Sequence, residues 1–300
     1  MCVVAQNDVA RLYGDGMLDL FLRDKTSKGN IIWATDAYGS FGDDYRRDKE
    51  MTSALLMREP FRLMSRAEKA LDAQAERTRA HAEVFTPLWV VKKMNDYMDA
   101  SWFGYEGAFD ADRVVFPEGK DWKQYVDSRR MEITCGEAPY IVTRYDVSNG
   151  EEVPLHERVG ILDCKLRVVS ENADDDEWLE WAFRAVQSTY GYEFQGDNVL
   201  LARLNLFLTF EEYMSASLGC GLLKGERMNL ANILAWNIWQ MDGLSGTIPY
   251  CKADEGSEQI AMLGWEDDGP AADMQPPCRI FDWRSRCIVE YRSLREARSA

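Results

Sequence analysis

One boundary constrains this chain more than any other. The stretch YGYEF at 190–194 is short, aromatic and β-forming, and it ends in a carboxylate. Directly after it, GDNVLLARLNLFLTFEEYM at 196–214 has helix formers throughout and apolar residues at helical spacing, with Leu200, Leu204, Phe207 and Leu208 on one stripe. A strand that passes into a long helix within two residues is half of a βαβ crossover. The same grammar recurs on both sides. RRMEIT at 129–134 reads as a strand entering the turn CGEAPY, 155–169 and 176–189 read as helices, and 226–238 reads as a helix leading into IWQMDGL. Alternation of this kind implies an α/β core with parallel strands.

Ligands of parallel sheets bind beyond the carboxyl ends of the strands. Three positions qualify here: Cys135-Gly136 after the first strand, Glu193 after the second and Asp242 after the third. A glycine turn lets backbone approach a ligand, and a carboxylate at the next strand end suits ribose hydroxyls. On spacing alone Gly136 is equally an ordinary turn residue, Glu193 an ordinary strand-end residue and Asp242 part of an Asp-Gly turn.

Outside this core, FRLMSRAEKALDAQAERTRA (61–80) reads as a helix, and Pro87 stands before another at 88–99. Residues 101–128 read as irregular, 250–278 as loop and 280–294 as a terminal hairpin. The organisation expected is a mixed, largely helical region over 1–80, a core over 81–245 and a C-terminal loop and hairpin over 246–300.

Charge narrows the partners. The 300 residues carry 51 Asp and Glu against 35 Lys and Arg, a formal −16, which argues against a free-standing nucleic-acid binder. The excess is uneven. Half of it lies in 151–200, where Asp174-Asp175-Asp176-Glu177 stands before a helical pattern, as suits a helix N-terminus. The net-basic stretch is 51–100; its Arg58, Arg62, Lys92 and Lys93 either track phosphate or form an ion-paired helix face. No apolar run approaches membrane-spanning length and no signal peptide is recognisable, so no membrane association is expected. Seven scattered cysteines without a CxxC pair argue against a zinc ribbon or disulfide framework, and for the cytoplasm.

Four segments, in order, resemble the N6-adenine DNA methyltransferases of restriction–modification systems: AEVFTPLWVVKKM (82–94), MEITCGEAPY (131–140), GYEFQGDNVLLARLNL (191–206) and NIWQMDGL (237–244). The resemblance implies a partial Rossmann-like, S-adenosylmethionine (SAM)-dependent methyltransferase sheet. It implies that Phe85, Thr86 and Pro87 contact SAM near its methionine end, that Glu132, Cys135 and Gly136 form the turn beneath that end, that Glu193 holds the ribose and that Asp242 meets the adenine amino group. Two departures stand out. The family's Cys-Gly-x-Gly is here Cys135-Gly136-Glu137-Ala138, which removes a residue tolerant of positive φ and adds a carboxylate near an anionic ligand. The Asn/Asp/Ser-Pro-Pro-aromatic tetrapeptide that holds the flipped base is missing. Gln275-Pro276-Pro277-Cys278 lacks the ring, and Thr247-Ile248-Pro249-Tyr250 lacks a proline. No catalytic residue and no metal ligand is therefore assigned to this chain. The expectation is the SAM-binding subunit of a split adenine-specific DNA methyltransferase. A complementary methyltransferase chain would supply the tetrapeptide, the strands beside 129–134 and most of the contact with double-stranded DNA. The alternative is a non-catalytic methyltransferase-like module kept for binding or assembly.

Overall fold

The structure, a computed structural model, describes residues 6–65, 86–148, 150–250 and 276–296. Helices α1 (Gln6–Gly14), α2 (Leu18–Leu22) and α3 (Ser53–Leu56) precede α4 (Leu88–Phe103) and α5 (Trp122–Asp127). Then come β1 (Arg130–Glu132), α6 (Ile161–Asn172), α7 (Asp175–Gln187), β2 (Thr189–Glu193), α8 (Gly196–Leu218), α9 (Lys224–Asn237) and β3 (Ile238–Gln240). A hairpin, β4 (Arg279–Asp282) and β5 (Cys287–Glu290), leads into α10 (Tyr291–Glu296).

Local chemistry sets the helix ends. Pro87 stands at the N-cap of α4, and Gly104 closes that helix at φ +81°, a left-handed cap suited to glycine. Asp121 and Gln124 form a reciprocal capping box on α5. The acidic run sits where helix electrostatics favours it, with Asp175, Asp176 and Glu177 in the first turn of α7.

β1, β2 and β3 form one parallel sheet in the order β1-β2-β3, with Arg130 opposite Thr189 and Glu193 opposite Gln240. The chain is thus α/β, as expected. Both crossovers step in the same direction across the sheet, so right-handed connections send α6–α9 to one face. Tyr190, Tyr192 and Trp239 look the other way. There they pack with Met241, Ile248, Cys278, Ile280 and Tyr291, so the C-terminal hairpin covers that face. Tyr190 Oη donates to the Phe281 carbonyl at 3.2 Å, pinning the hairpin to β2.

Coverage stops at β1. Met131 and Ile133 remain 40% and 60% exposed, and among the described residues no strand pairs with the outer edge of β1. This is the open edge that the sequence predicts.

Several sequence expectations change. Helix α8 is buried on all sides from Gly196 to Phe210 rather than along one stripe. It runs through the centre of the molecule, with the N-terminal region on one flank and the other crossover helices on the next. Gly196 marks the closest approach: a Cβ there would lie 1.9 Å from the Ile32 carbonyl oxygen. The described N-terminal residues share one continuous hydrophobic core with α6–α9. Residues 61–65 are irregular rather than helical, because Phe61 is held among Trp33, Tyr38, Phe41 and Tyr45; residues 66–80 of that expected helix lie outside the described residues. The helix expected over 155–169 starts at Ile161, after a single 3₁₀ turn at Leu155–Glu157. The stretch 101–128, read as irregular, contains the end of α4 and all of α5.

Candidate functional site

The carboxyl ends of β1 and β2 are joined by one carboxylate. Glu193, 6% exposed, accepts a hydrogen bond at Oε2 from the Gly136 N–H at 2.9 Å and at Oε1 from the Gln195 N–H at 3.2 Å. Cys135 N–H donates to the Tyr192 carbonyl at 2.8 Å, and Met241 N–H to the Glu193 carbonyl at 2.9 Å. Cys135, Gly136 and Glu193 therefore stand together at the end of the sheet where parallel folds hold ligands. The Cys135 thiol is buried against Gly191, where an added Cβ would meet Sγ at 3.2 Å.

The loop that follows β1 is strained. Thr134, Gly136 and Ala138 take φ of +49°, +55° and +65°. Two of these are not glycine, and a β-branched threonine at positive φ is a true outlier. Ala138 keeps a left-handed backbone conformation for which glycine is better suited. Glu137 is turned inward. It accepts a hydrogen bond from Tyr145 Oη, and Asn205 Nδ2 donates to the Glu137 carbonyl and to Tyr145 Oη, both at 3.2 Å. Burial, and then the Glu137 charge, push the Tyr145 phenol well above its ordinary pKa, so the phenol remains the donor.

The other expected site residues divide. Glu132 is half-buried on β1, in register with Gly191. Asp242 follows β3, but its Oδ1 accepts from Leu244 N at 2.9 Å and Ser245 N at 3.4 Å, which makes it the cap of its own Asp-Gly turn. Thr86 and Pro87 are half-buried at the start of α4, where Leu88 N donates to Asp146 Oδ2 at 3.4 Å; Phe85 lies outside the described residues. Neither proline near-miss forms a base-holding tip. Thr247 and Pro277 bridge to each other, and buried Cys278 donates its N–H to the Gly246 carbonyl. These residues tie the hairpin to the Asp242 turn. Gln275 lies outside the described residues.

Sequence reasoning missed the first turn of α8. Asp197 and Asn198 are both wholly buried. Asp197 faces Tyr38, whose phenol is pushed well above its ordinary pKa by burial, then by the Asp197 charge. Among the described residues Asn198 finds no hydrogen-bond partner at either Oδ1 or Nδ2. Buried amides are normally paired, so this one calls for an explanation. The signal was available: Asp-Asn directly after a strand-end carboxylate and a glycine is a polar helix start in an otherwise apolar segment.

Among the described residues no group of three or more His, Cys, Asp or Glu could hold a metal ion, and no helix is long and apolar enough to cross a membrane. The basic stretch is partly neutralised. Arg58 pairs with Asp44 at 3.3 Å, and Lys92 with Asp96 and Asp110 at 2.8 and 3.0 Å. Comparison with known protein families, with curated proteins and with solved structures finds no match.

Proposed function

We propose that this chain is the SAM-binding subunit of a split adenine-N6 DNA methyltransferase, acting with a complementary chain that carries the base-holding tetrapeptide. The observation that carries the reading is the Gly136–Glu193 hydrogen bond, which joins two of the resembling segments at the carboxyl end of a parallel sheet. The residues present fit the cofactor. A nearly buried carboxylate at the end of β2 suits the ribose hydroxyls, and each of its oxygens retains accepting capacity beyond the one backbone N–H it binds. With Glu137 directed at Tyr145, the added carboxylate does not oppose an anionic ligand from the turn.

In this reading Glu193 orients the ribose, Cys135 and Gly136 bring backbone beneath the methionine end, and Thr86 and Pro87 flank the same end from α4. SAM, when bound, supplies an electrophilic methyl on its sulfonium. The open edge of β1 supports the split arrangement, because an unpaired strand carrying Met131 and Ile133 is ready to accept another.

The test is a calorimetric titration of SAM into the chain alone and into the complex co-purified with the product of the adjacent reading frame. Binding heat in either sample, reduced at least tenfold in affinity by Glu193→Ala, is the expected result. Absence of heat in both samples overturns the reading.

A further inference from the structure

The turn that follows α2 contains no apolar residue. It reads RDKTSKGN over 23–30. Arg23 bridges to Asn30, Asp24 N donates to the Gly29 carbonyl at 3.0 Å, and Ser27 N donates to Asp24 Oδ2 at 2.6 Å. Buried Arg203 donates to the carbonyls of Arg23 and Ile238 at 3.1 and 2.8 Å, which sets the turn beside the start of β3. The turn carries three cations, Arg23 and Lys28 exposed and Lys25 half-buried. The C-terminal hairpin adds a fourth. Arg279 N donates to Thr26 Oγ1 at 2.9 Å, so the exposed first residue of β4 lies against the turn.

Like charges crowd here. Among the described residues none of these four side chains pairs with a carboxylate. Arg23 donates to the Lys28 carbonyl at 2.8 Å, and Lys25 to Asn232 Oδ1 at 2.6 Å above the Trp236 ring, so their partners are neutral. Burial, then the charges of Arg203 and Arg23, hold the Lys25 ammonium below the ordinary lysine range. Three carboxylates stand by: Asp24 is buried beneath the turn, Glu50 lies against Gly29, and Glu290 is opposite Arg279 in the hairpin. With Arg203, five cations meet those three, on a chain whose acids outnumber its bases 51 to 35. Crowded like charges work against folding unless an opposite charge answers them. The surface also selects what answers. Protein interfaces centre on apolar groups within a polar rim, and this turn has no apolar side chain to offer. Its arginines, lysines and the Thr26 and Ser27 hydroxyls are the side chains that contact phosphate.

We propose that residues 23–28 and Arg279 contact the phosphate backbone of duplex DNA, with Arg23, Lys28 and Arg279 as phosphate ligands and Lys25 adding to the field. The choice of DNA rests on the reading of the chain as a methyltransferase subunit. The contact lies on this chain itself, outside the basic stretch 51–100, and uses none of the residues of the Gly136–Glu193 site.

The probe is a fluorescein-labelled duplex of about 20 base pairs, titrated with the full chain at low salt and followed by anisotropy. Binding is expected, and Arg23→Gln with Lys28→Gln and Arg279→Gln should weaken it at least tenfold. A control triple, Arg46→Gln with Lys93→Gln and Lys224→Gln, removes the same charge elsewhere and should weaken it less than threefold. The log–log dependence of affinity on salt should become shallower by about 1 for each phosphate ligand removed. Absence of binding overturns the proposal, as does an equal loss in the two triples. A polyglutamate peptide that binds as tightly as the duplex also overturns it and assigns the turn to an acidic protein. Calorimetry with SAM separates this contact from the reading it rests on. SAM heat without DNA binding removes the contact and leaves the methyltransferase reading; DNA binding that the first triple abolishes, without SAM heat, removes the reading and leaves the contact.

Discussion

Thr134 shows how a single residue can work against the fold that contains it. It is exposed, β-branched and held at φ +49°. A left-handed conformation costs a non-glycine residue about 1–2 kcal/mol, partly offset in a glycine variant by greater freedom of the unfolded chain. Thr134→Gly should therefore raise stability by about 0.5–1 kcal/mol in urea denaturation. Strain of this kind collects at functional loops.

Asp163 carries a pH dependence with a definite sign. Burial raises its carboxyl to about 6, against the opposing Arg158 charge and hydrogen bonds from Thr143 and Gly160. The folded pKa lies above the unfolded value, so the folded chain binds more protons between about pH 4 and 6, and the group's contribution to stability falls as pH rises through that window. The loss is about 2–3 kcal/mol by pH 7. Asparagine keeps an oxygen to accept from Thr143 and Gly160, removes the titrating charge, and puts its amide nitrogen where, among the described residues, Oδ1 is as unpartnered as the protonated acid's hydroxyl. Asp163→Asn should thus match the wild type near pH 4 and exceed it at pH 7, with the difference read from chemical denaturation across pH.

At the scale of elements, buried Arg203 is the fastening of α8. Its guanidinium donates to the carbonyls of Phe21, Arg23, Ala235 and Ile238, joining the end of α2 to α9 and β3. Arg203→Met keeps the volume but leaves buried carbonyls without donors, and should cost roughly 3–5 kcal/mol in denaturant unfolding. Lys165 does similar work on α6, donating to the carbonyls of Ser128 and Ser188 and to Ser188 Oγ just before β1 and β2. Burial drives its ammonium well below the ordinary lysine range. Both cations sit in segments that read as amphipathic helix, where a lysine or arginine belongs on the wet face. Periodicity found both helices, α8 from its first residue and α6 with its start placed at 155 instead of Ile161. It could not find that α8 has no wet face, because that depends on the N-terminal region closing over it.

At the scale of the molecule, both faces of the sheet are covered, while the outer edge of β1 pairs with no strand among the described residues. Ending the chain at Gln275 would uncover Tyr190, Tyr192 and Trp239, which the hairpin now shields. Such a truncation should bind the dye ANS strongly and precipitate at concentrations where the full chain stays dispersed. The parallel crossovers were legible where strand and helix abut, as at Glu193 and Gly196 or Asn237 and Ile238, whereas β1 ends at Glu132 and α6 starts only at Ile161. The candidate site was legible in part. Glu193 and Gly136 announce themselves as a strand-end carboxylate and a turn glycine, whereas Asn198 is hidden within a helical pattern and Asp242 reads alike as ligand or turn cap.

The sequence by itself determined the α/β class, the parallel crossovers and the acidic balance, since these follow from local periodicity and from counting. Only the tertiary structure decided that Gly136 and Glu193, 57 residues apart, meet at 2.9 Å, that α8 is central, and that α4 turns its apolar half outward. The reason is physical. Propensity and periodicity act over one or two turns of chain, whereas hydrogen bonds such as Asn95 to Tyr140 and ion pairs such as Asp99 with Arg130 form only once distant segments are packed, and there they outweigh the local pattern.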